Sequence, residues 1–302
     1  MNEAYHIPVL KKELIEQLRI NPSGVYVDCT FGGGGHSRAI LEKMDPGGTL
    51  VAFDQDKDAS LNLPADPRIL FIPQNFRYLS KFLRLHKIAE VDGIIADLGV
   101  SSYQFDEAER GFSTRFHESK LDMRMDQRQT LTASDVINHY SEQELHKLFE
   151  QYGEVTNART LAQTIVRHRQ QLSIHTVNDL KQSVAGVVKG NPNKYFAQVF
   201  QALRITVNEE MDALREMLQQ SPSLLRKDGR IAIITFHSIE DRIVKRFFRS
   251  GNVDETETDA LFGTQAKSPF RIITKKPIVP SEEEIAMNPR SRSAKLRVAE
   301  KV

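Results

Sequence analysis

The residues with the clearest chemical use lie in one short stretch, Val27 to Ser37, which reads VDCTFGGGGHS. Four consecutive glycines, Gly32 to Gly35, permit a tight turn and leave no side chain between backbone and ligand. At the junction of an apolar strand and a helix, such a loop reads as the cofactor crevice of an open α/β sheet. Two common cofactors fail the spacing. The dinucleotide pattern G-x-G-x-x-G, counted from Gly32, puts its last glycine at Ser37, and no lysine follows the run as a phosphate loop requires. About 20 residues past the loop, Asp54 ends the second apolar strand, where a carboxylate can take both hydroxyls of a ribose. Adenosine without phosphates, held by glycine backbone and one acid, suits S-adenosylmethionine.

A second candidate stretch is DLGVSSYQ, Asp97 to Gln104, at the end of the fourth apolar strand. Doubly wound methyltransferases present this position to the transferable methyl group. Those acting on exocyclic amines often carry Asp/Asn/Ser-Pro-Pro-aromatic here; Asp97 is present and the prolines are absent. After the fifth strand, FHSIED supplies His237, Ser238 and Asp241 on the same sheet edge, as candidate base or positioning groups.

Strand–helix alternation must position these residues. Strands are expected at Gly24–Asp28, Thr49–Asp54, Ile69–Ile72 and Asp92–Asp97, with a helix over Tyr78–Ile88 whose Leu79, Phe82, Leu83 and His86 share a face. This pattern predicts an α/β fold with a doubly wound, Rossmann-like parallel sheet. The next strand, Arg230–Phe236, comes more than a hundred residues later. A single long helix through Val199, Leu203, Val207, Met211, Leu214 and Leu218 suffices as its crossover. Residues from Phe105 to Ala197 are then too many for a loop. They carry helical signals of their own: Ser141 with Glu144 in a capping box, then Leu161, Ile165 and Val166, then Leu180, Val184, Val187 and Val188. The expected organisation is a methyltransferase-like domain over 1–104 and 198–302, with an all-helical substrate-recognition domain inserted at 105–197. A helix over Ile239–Arg249 and antiparallel strands from FRIITKKPI and KLRVAE complete the chain.

Bulk properties agree with a globular protein: 302 residues, 40% hydrophobic and 27% charged. The single cysteine, Cys29, excludes an internal disulfide, and neither a signal-peptide core nor a membrane-length apolar run is present. A cytoplasmic location without membrane association is the expectation. The net charge of +1 does not announce a nucleic-acid binder, but the charge is uneven. An acidic stretch holds Asp254, Glu255, Glu257 and Asp259, and a basic tail holds Arg290, Arg292, Lys295, Arg297 and Lys301, able to meet phosphates.

Taken in order, eight blocks resemble the bacterial small-subunit ribosomal RNA cytosine-N4 methyltransferases, the RsmH or MraW family. They are HIPVL (6–10), GGHS (34–37), DLGVSS (97–102), ERGFS (109–113), LDMRMD (121–126), FQALRI (200–205), FHSIEDRIVK (236–245) and NPRSRSAKLRVAE (288–300). The resemblance implies S-adenosylmethionine as cofactor, held by Gly34, Gly35, His36, Asp54, Phe76, Asp97 and Gln104, with Phe76 against the adenine. It names no metal ligand. It also implies a cytidine in the decoding region of small-subunit rRNA as acceptor, within the assembled subunit; a homodimer is compatible with it. Three departures stand out. Tyr103 replaces a proline, GEV at 153–155 replaces G-E-E, and KYFAQ at 194–198 replaces H-P-A-T-R.

The cytosine amino lone pair is delocalised into the ring, so such an enzyme must align the nitrogen and accept its hydrogen bonds as the proton departs. Asp97 is the first candidate acceptor, Ser101 and Ser102 candidate positioning groups, and His237 a further catalytic candidate. The insertion's Arg110, Arg115, Arg124, Arg128, Arg167 and Arg169 are the expected RNA-facing surface. Two other readings stand beside this one: a methyltransferase with a DNA or protein acceptor, and a non-catalytic RNA-binding assembly factor that retains a cofactor pocket.

Overall fold

A computed structural model describes residues 8–253 and 268–302. His6 and Ile7 of the first block, and the acidic stretch at Asp254, Glu255, Glu257 and Asp259, lie outside the described residues. The chain forms two compact units, residues 1–99 with 211–302, and residues 100–210.

The first unit is built on one seven-stranded sheet with the order β3-β2-β1-β4-β5-β7-β6. Its strands are β1 (Val25–Asp28), β2 (Thr49–Phe53), β3 (Ile69–Ile72), β4 (Val91–Asp97), β5 (Leu225–Thr235), β6 (Phe270–Ile272) and β7 (Lys295–Lys301). The first five are parallel; β7 runs antiparallel to β5, and β6 antiparallel to β7. Continuous apolar runs such as TLVAF and RIAIIT give strands buried on both faces, as a helix-covered parallel sheet requires. Helices α1 (Lys11–Leu18), α2 (Gly35–Leu41) and α3 (Leu79–Leu85) cover it. Leu14 and Leu18 pack with Tyr26, Ile95, Ile234 and Leu296 in one core cluster. The strand order reverses between β1 and β4, which pair Asp28 with Ile95, and a ligand crevice opens at the carboxyl ends of strands at such a point. This arrangement is that of a doubly wound methyltransferase sheet.

Deep in the sheet, Arg230 on β5 meets Glu300 on β7 at 3.0 Å with both side chains 5% exposed, and Arg271 on β6 reaches the same carboxylate. Burial works against the Glu300 anion, but hydrogen bonds and charge from the two arginines hold its carboxyl below its usual range.

The second unit is helical: α4 (Ser102–Asp106), α5 (Ala133–His139), α6 (Glu142–Gln151), α7 (Ala158–Arg169), α8 (Val177–Val184) and α9 (Pro192–Asn208). Four starts are fixed by capping boxes, Ser101 with Gln104, Thr132 with Asp135, Ser141 with Glu144 and Thr176 with Asp179. Leu145, Phe149, Leu161, Ile165, Leu180, Val199 and Leu203 share its core.

Here the structure corrects the expected crossover. The long helix is two helices, α9 and α10 (Glu210–Leu224), separated at Glu209, whose φ of 48° is left-handed. Asn208 explains why α9 belongs to the helical unit: its Oδ1 accepts the Met125 N–H at 2.7 Å and its Nδ2 donates to the Met123 carbonyl at 2.8 Å. The boundary expected at 197/198 therefore lies at 210/211. Apolar periodicity runs through the break unbroken, so one left-handed glutamate leaves no trace in it. Among the described residues no helix is long and apolar enough to cross a membrane.

Replacing Glu300 by Ala leaves Arg230 buried without its counter-ion. A loss of about 3–5 kcal/mol is expected, read as a lowered midpoint in chemical denaturation.

Candidate active site

The glycine loop leaves β1 and enters α2. Phe31 N–H donates to the Phe53 carbonyl at 2.9 Å, which holds the loop to β2, and Gly34 N–H donates back to Phe31 at 2.7 Å. Gly34 sits at φ 74°, where a Cβ would also meet the Phe31 ring at 2.8 Å. A Cβ on Gly35 would meet Pro8 Cγ at 2.2 Å, so the end of the HIPVL block packs onto the loop. Gly33, by contrast, faces open space. A side chain at Gly34 or Gly35 would thus meet protein, whereas one at Gly33 would enter open space.

Asp54 follows β2 directly. Its Oδ2 accepts the Gly32 N–H at 2.7 Å and its Oδ1 accepts the Asp56 N–H at 2.8 Å. Each oxygen retains a lone pair for a ribose hydroxyl. Burial outweighs these bonds and pushes the carboxyl up to about 7. Phe76, half-buried, opens the turn after β3, where Asn75 Nδ2 donates to Gln55 Oε1 at 2.8 Å and ties that turn to the end of β2.

At the junction of β1 and β4 the structure brings together residues that the sequence reading did not single out. Asp28, fully buried, accepts from Ser37 Oγ at 2.7 Å and from Thr30 N–H at 3.0 Å. Burial raises its carboxyl above the usual range. Thr30 Oγ1 in turn accepts the Asp97 N–H at 2.7 Å. Asp28 carries the same signal that exposed Asp54, an acid at a strand end against the glycine loop. His36, on the first turn of α2, lies 3.4 Å through Nε2 from Asp97 Oδ2. Neither His36 ring nitrogen, nor Asp97 Oδ1, has a hydrogen-bond partner among the described residues, although all three atoms are buried. Buried polar atoms without partners are costly, about 1–3 kcal/mol each, and mark a place a polar ligand completes. A loop open at Gly33, a carboxylate with free lone pairs at Asp54 and orphaned polar atoms at His36 and Asp97 fit S-adenosylmethionine.

His237 is the N-cap of α11 (Ser238–Ser250): its Nδ1 accepts the Glu240 N–H at 3.4 Å, and its Nε2 stands 3.2 Å from Glu240 Oε1. His237 thus caps the helix through Nδ1, while its Nε2, buried like the His36 nitrogens, has no hydrogen-bond partner among the described residues. Asp241 is engaged in a two-pronged pair with Arg297, at 2.6 and 3.1 Å, with Lys295 at 3.5 Å. Burial opposes its ionisation, but these cations hold its carboxyl below the usual range, which unsuits it as a base. The same pair removes Arg297 from the basic tail, whereas Arg290 and Arg292 are exposed.

Ser101, Ser102 and Gln104 belong to the helical unit. Ser101 caps α4: its Oγ accepts the Gln104 N–H at 3.2 Å while Gln104 Oε1 accepts the Ser101 N–H at 3.1 Å. The serine hydroxyl keeps its hydrogen and a second lone pair.

Of the six arginines expected to face RNA, Arg110, Arg124 and Arg169 reach backbone carbonyls within the unit, whereas Arg115, Arg128 and Arg167 are exposed. Arg110 is buried and donates to the carbonyls of Arg124 and Met125. Arg124 pairs with Asp122 and donates to Gln129 O, Arg128 pairs with Asp126, and Arg115 pairs with Asp106. Arg169 donates to the carbonyls of Ile137 and Tyr140, both at 2.5 Å, and Arg167 is exposed. LDMRMD therefore works as internal packing, with Leu121, Met123 and Met125 buried. Two of the departures meet in space. Gln198 Nε2 donates to the Glu154 carbonyl at 3.1 Å, beside buried Val155, so GEV and KYFAQ are two sides of one contact.

Sheet order, glycine loop and the acids at the ends of β2 and β4 define an S-adenosylmethionine-dependent methyltransferase. Comparison with known sequences narrows this. A profile of the MraW methylase family matches residues 3–302, and the chain belongs to that family. Ribosomal RNA small subunit methyltransferase H of Bacteroides fragilis (strain YCH46) is 52% identical over 298 residues, covering 98% of this chain and 97% of that one. The protein of the same name from Parabacteroides distasonis is 50% identical, covering 100% and 99%. Among solved structures, NSun6 from Pyrococcus horikoshii is a distant match, with 11% identity, a TM-score of 0.46 and coverage of 98% and 53%.

Asp54→Ala is expected to abolish S-adenosylmethionine binding, read by calorimetry. Ribose hydroxyls donate to the carboxylate, so binding favours the ionised form, and below a pKa of about 7 a proton must first be expelled. Affinity should be level above that pH and fall by up to about tenfold per unit below it. Asp54→Asn should bind weakly and without this dependence.

Proposed function

We propose that this protein methylates the exocyclic N4 amino group of a cytidine in the decoding region of small-subunit ribosomal RNA, acting on the assembled subunit. Family membership, and relatives that are ribosomal RNA small subunit methyltransferases, support the ribosomal acceptor. The observation that carries the chemistry is Asp97: a carboxylate at the end of β4, beside the glycine loop, with one oxygen lacking a partner.

When bound, S-adenosylmethionine supplies an electrophilic methyl group on a sulfonium sulfur. The protein's own residues do the rest. The glycine backbone and Asp54 fix the adenosine, and Phe76 offers a flat apolar surface beside it. Asp97, with its N–H held by Thr30, offers an acceptor for the amino hydrogens. That hydrogen bond aligns the nitrogen and draws electron density toward it, and Asp97 accepts the proton released as the new bond forms. Holding the nucleophile in line contributes up to about 7–11 kcal/mol in well-oriented reactions. The cytidine must be exposed or turned out of its stack, at a cost of a few kcal/mol.

The direct test incubates the protein with labelled S-adenosylmethionine and small subunits lacking the modification, then identifies the labelled nucleoside by mass spectrometry. N4-methylcytidine is expected. Label on DNA or protein instead would replace the acceptor, and cofactor binding without transfer to any acceptor would favour an assembly factor. On the same substrate, Asp97→Asn should lower kcat by about 10²–10⁴.

A further inference from the structure

With Arg110, Arg124 and Arg169 engaged in internal bonds and Arg115 and Arg128 in surface ion pairs, the densest exposed positive charge on a single described helix lies on α11. Arg242, Lys245 and Arg249 are exposed and Arg246 is half-buried. At 100° per residue these four fall within an arc of about 100°. The opposite face, Ile239, Ile243, Val244, Phe247 and Phe248, is buried. The only acids of the helix are turned away from the stripe. Glu240 is buried with its Oε2 on the Phe236 N–H, and Asp241 is bound to Arg297.

This pattern is unusual for a merely solvated face, which mixes signs along the helix. Lys245 and Arg249 are like charges at i,i+4, a pair that destabilises a helix by about 0.2–0.5 kcal/mol. The helix dipole rewards only the second of them, Arg249. A polyanion laid along the stripe would reverse the sign of this interaction. The position is also apt: α11 starts where β5 ends, and β5 pairs Ile234 with Asp97. The basic face therefore begins on the carboxyl edge of the sheet, one strand from the proposed acceptor carboxylate, and runs about 10 Å from Arg242 to Arg249.

We propose that this outer face of α11 is the docking surface for the sugar–phosphate backbone of the substrate RNA, setting the strand's path toward the site at β4. The proposal rests on the ribosomal RNA reading above. Cations spaced along one helix face, without aromatic side chains among them on which bases could stack, suit the phosphates of a strand lying along the helix, a contact that fixes position.

Arg242 and Arg246 make other interactions, so the test uses Lys245 and Arg249 in the full-length protein. For Lys245→Glu/Arg249→Glu, S-adenosylmethionine affinity should stay within about twofold while KM for small subunits rises about tenfold or more at low salt. With Lys245→Ala/Arg249→Ala, the slope of log affinity for protein-free small-subunit rRNA against log salt should shrink by about 1 to 1.5. The control Lys81→Glu/Arg84→Glu, on α3, should change none of these. Unchanged RNA affinity and salt slope, with the wild type methylating rRNA, would overturn the proposal and leave the functional reading intact. Loss of binding to subunits but not to protein-free rRNA would overturn it in favour of an acidic ribosomal protein. Failure of the wild type to methylate rRNA would instead remove the reading on which it rests.

Discussion

The hydrogen bond from the Asp97 N–H to Thr30 Oγ1 joins the ends of two strands whose sequences lie far apart, and the site depends on it. Thr30 is placed by Asp28, which is itself locked by Ser37 on the first turn of α2. One chain of bonds thus runs from α2 through β1 to the acid at the end of β4. Because Asp28 is fully buried, each bond it accepts has to offset part of its desolvation. A carboxylate so placed does not wander, and neither do the two strand ends it organises.

The same region leaves other polar atoms unmet. His36 and Asp97 between them hold three buried side-chain atoms without partners, where most proteins tolerate few. The glycine loop shows the complementary economy of space: Gly34 and Gly35 are closed against Phe31 and Pro8, and Gly33 is open. Stability is conceded at the crevice and recovered when a ligand supplies the missing partners. Elsewhere Arg230 pairs with Glu300 between two strands, and Arg297 of β7 pairs with Asp241 of α11.

In the helical unit, charged residues serve the fold more than the surface. Arg110, Arg124 and Arg169 reach backbone carbonyls that no helix or strand satisfies, and so hold the irregular stretch before α5 and the end of that helix. The paired departures at Val155 and Gln198 obey the same logic: a buried apolar side chain on one side and a neutral amide bonding a carbonyl on the other.

The sequence alone determined the parallel sheet, its strand positions, the glycine loop, Asp54 and Asp97. These follow from local rules, namely apolar runs of strand length, glycine where a turn needs it, and acids at strand ends. The capping box of Ser141 with Glu144 was legible for the same reason. Only the tertiary structure decided which polar side chains were spoken for. Asp28, Thr30 and Ser37 interlock across an α/β junction, Asp241 meets Arg297 from another strand, and His237 turns inward to cap α11. The break at Glu209 was equally invisible, since hydrophobic periodicity passes through it. An arginine reads alike in sequence whether it faces solvent or a buried carbonyl. The difference is a matter of what lies opposite, and residues distant along the chain supply that.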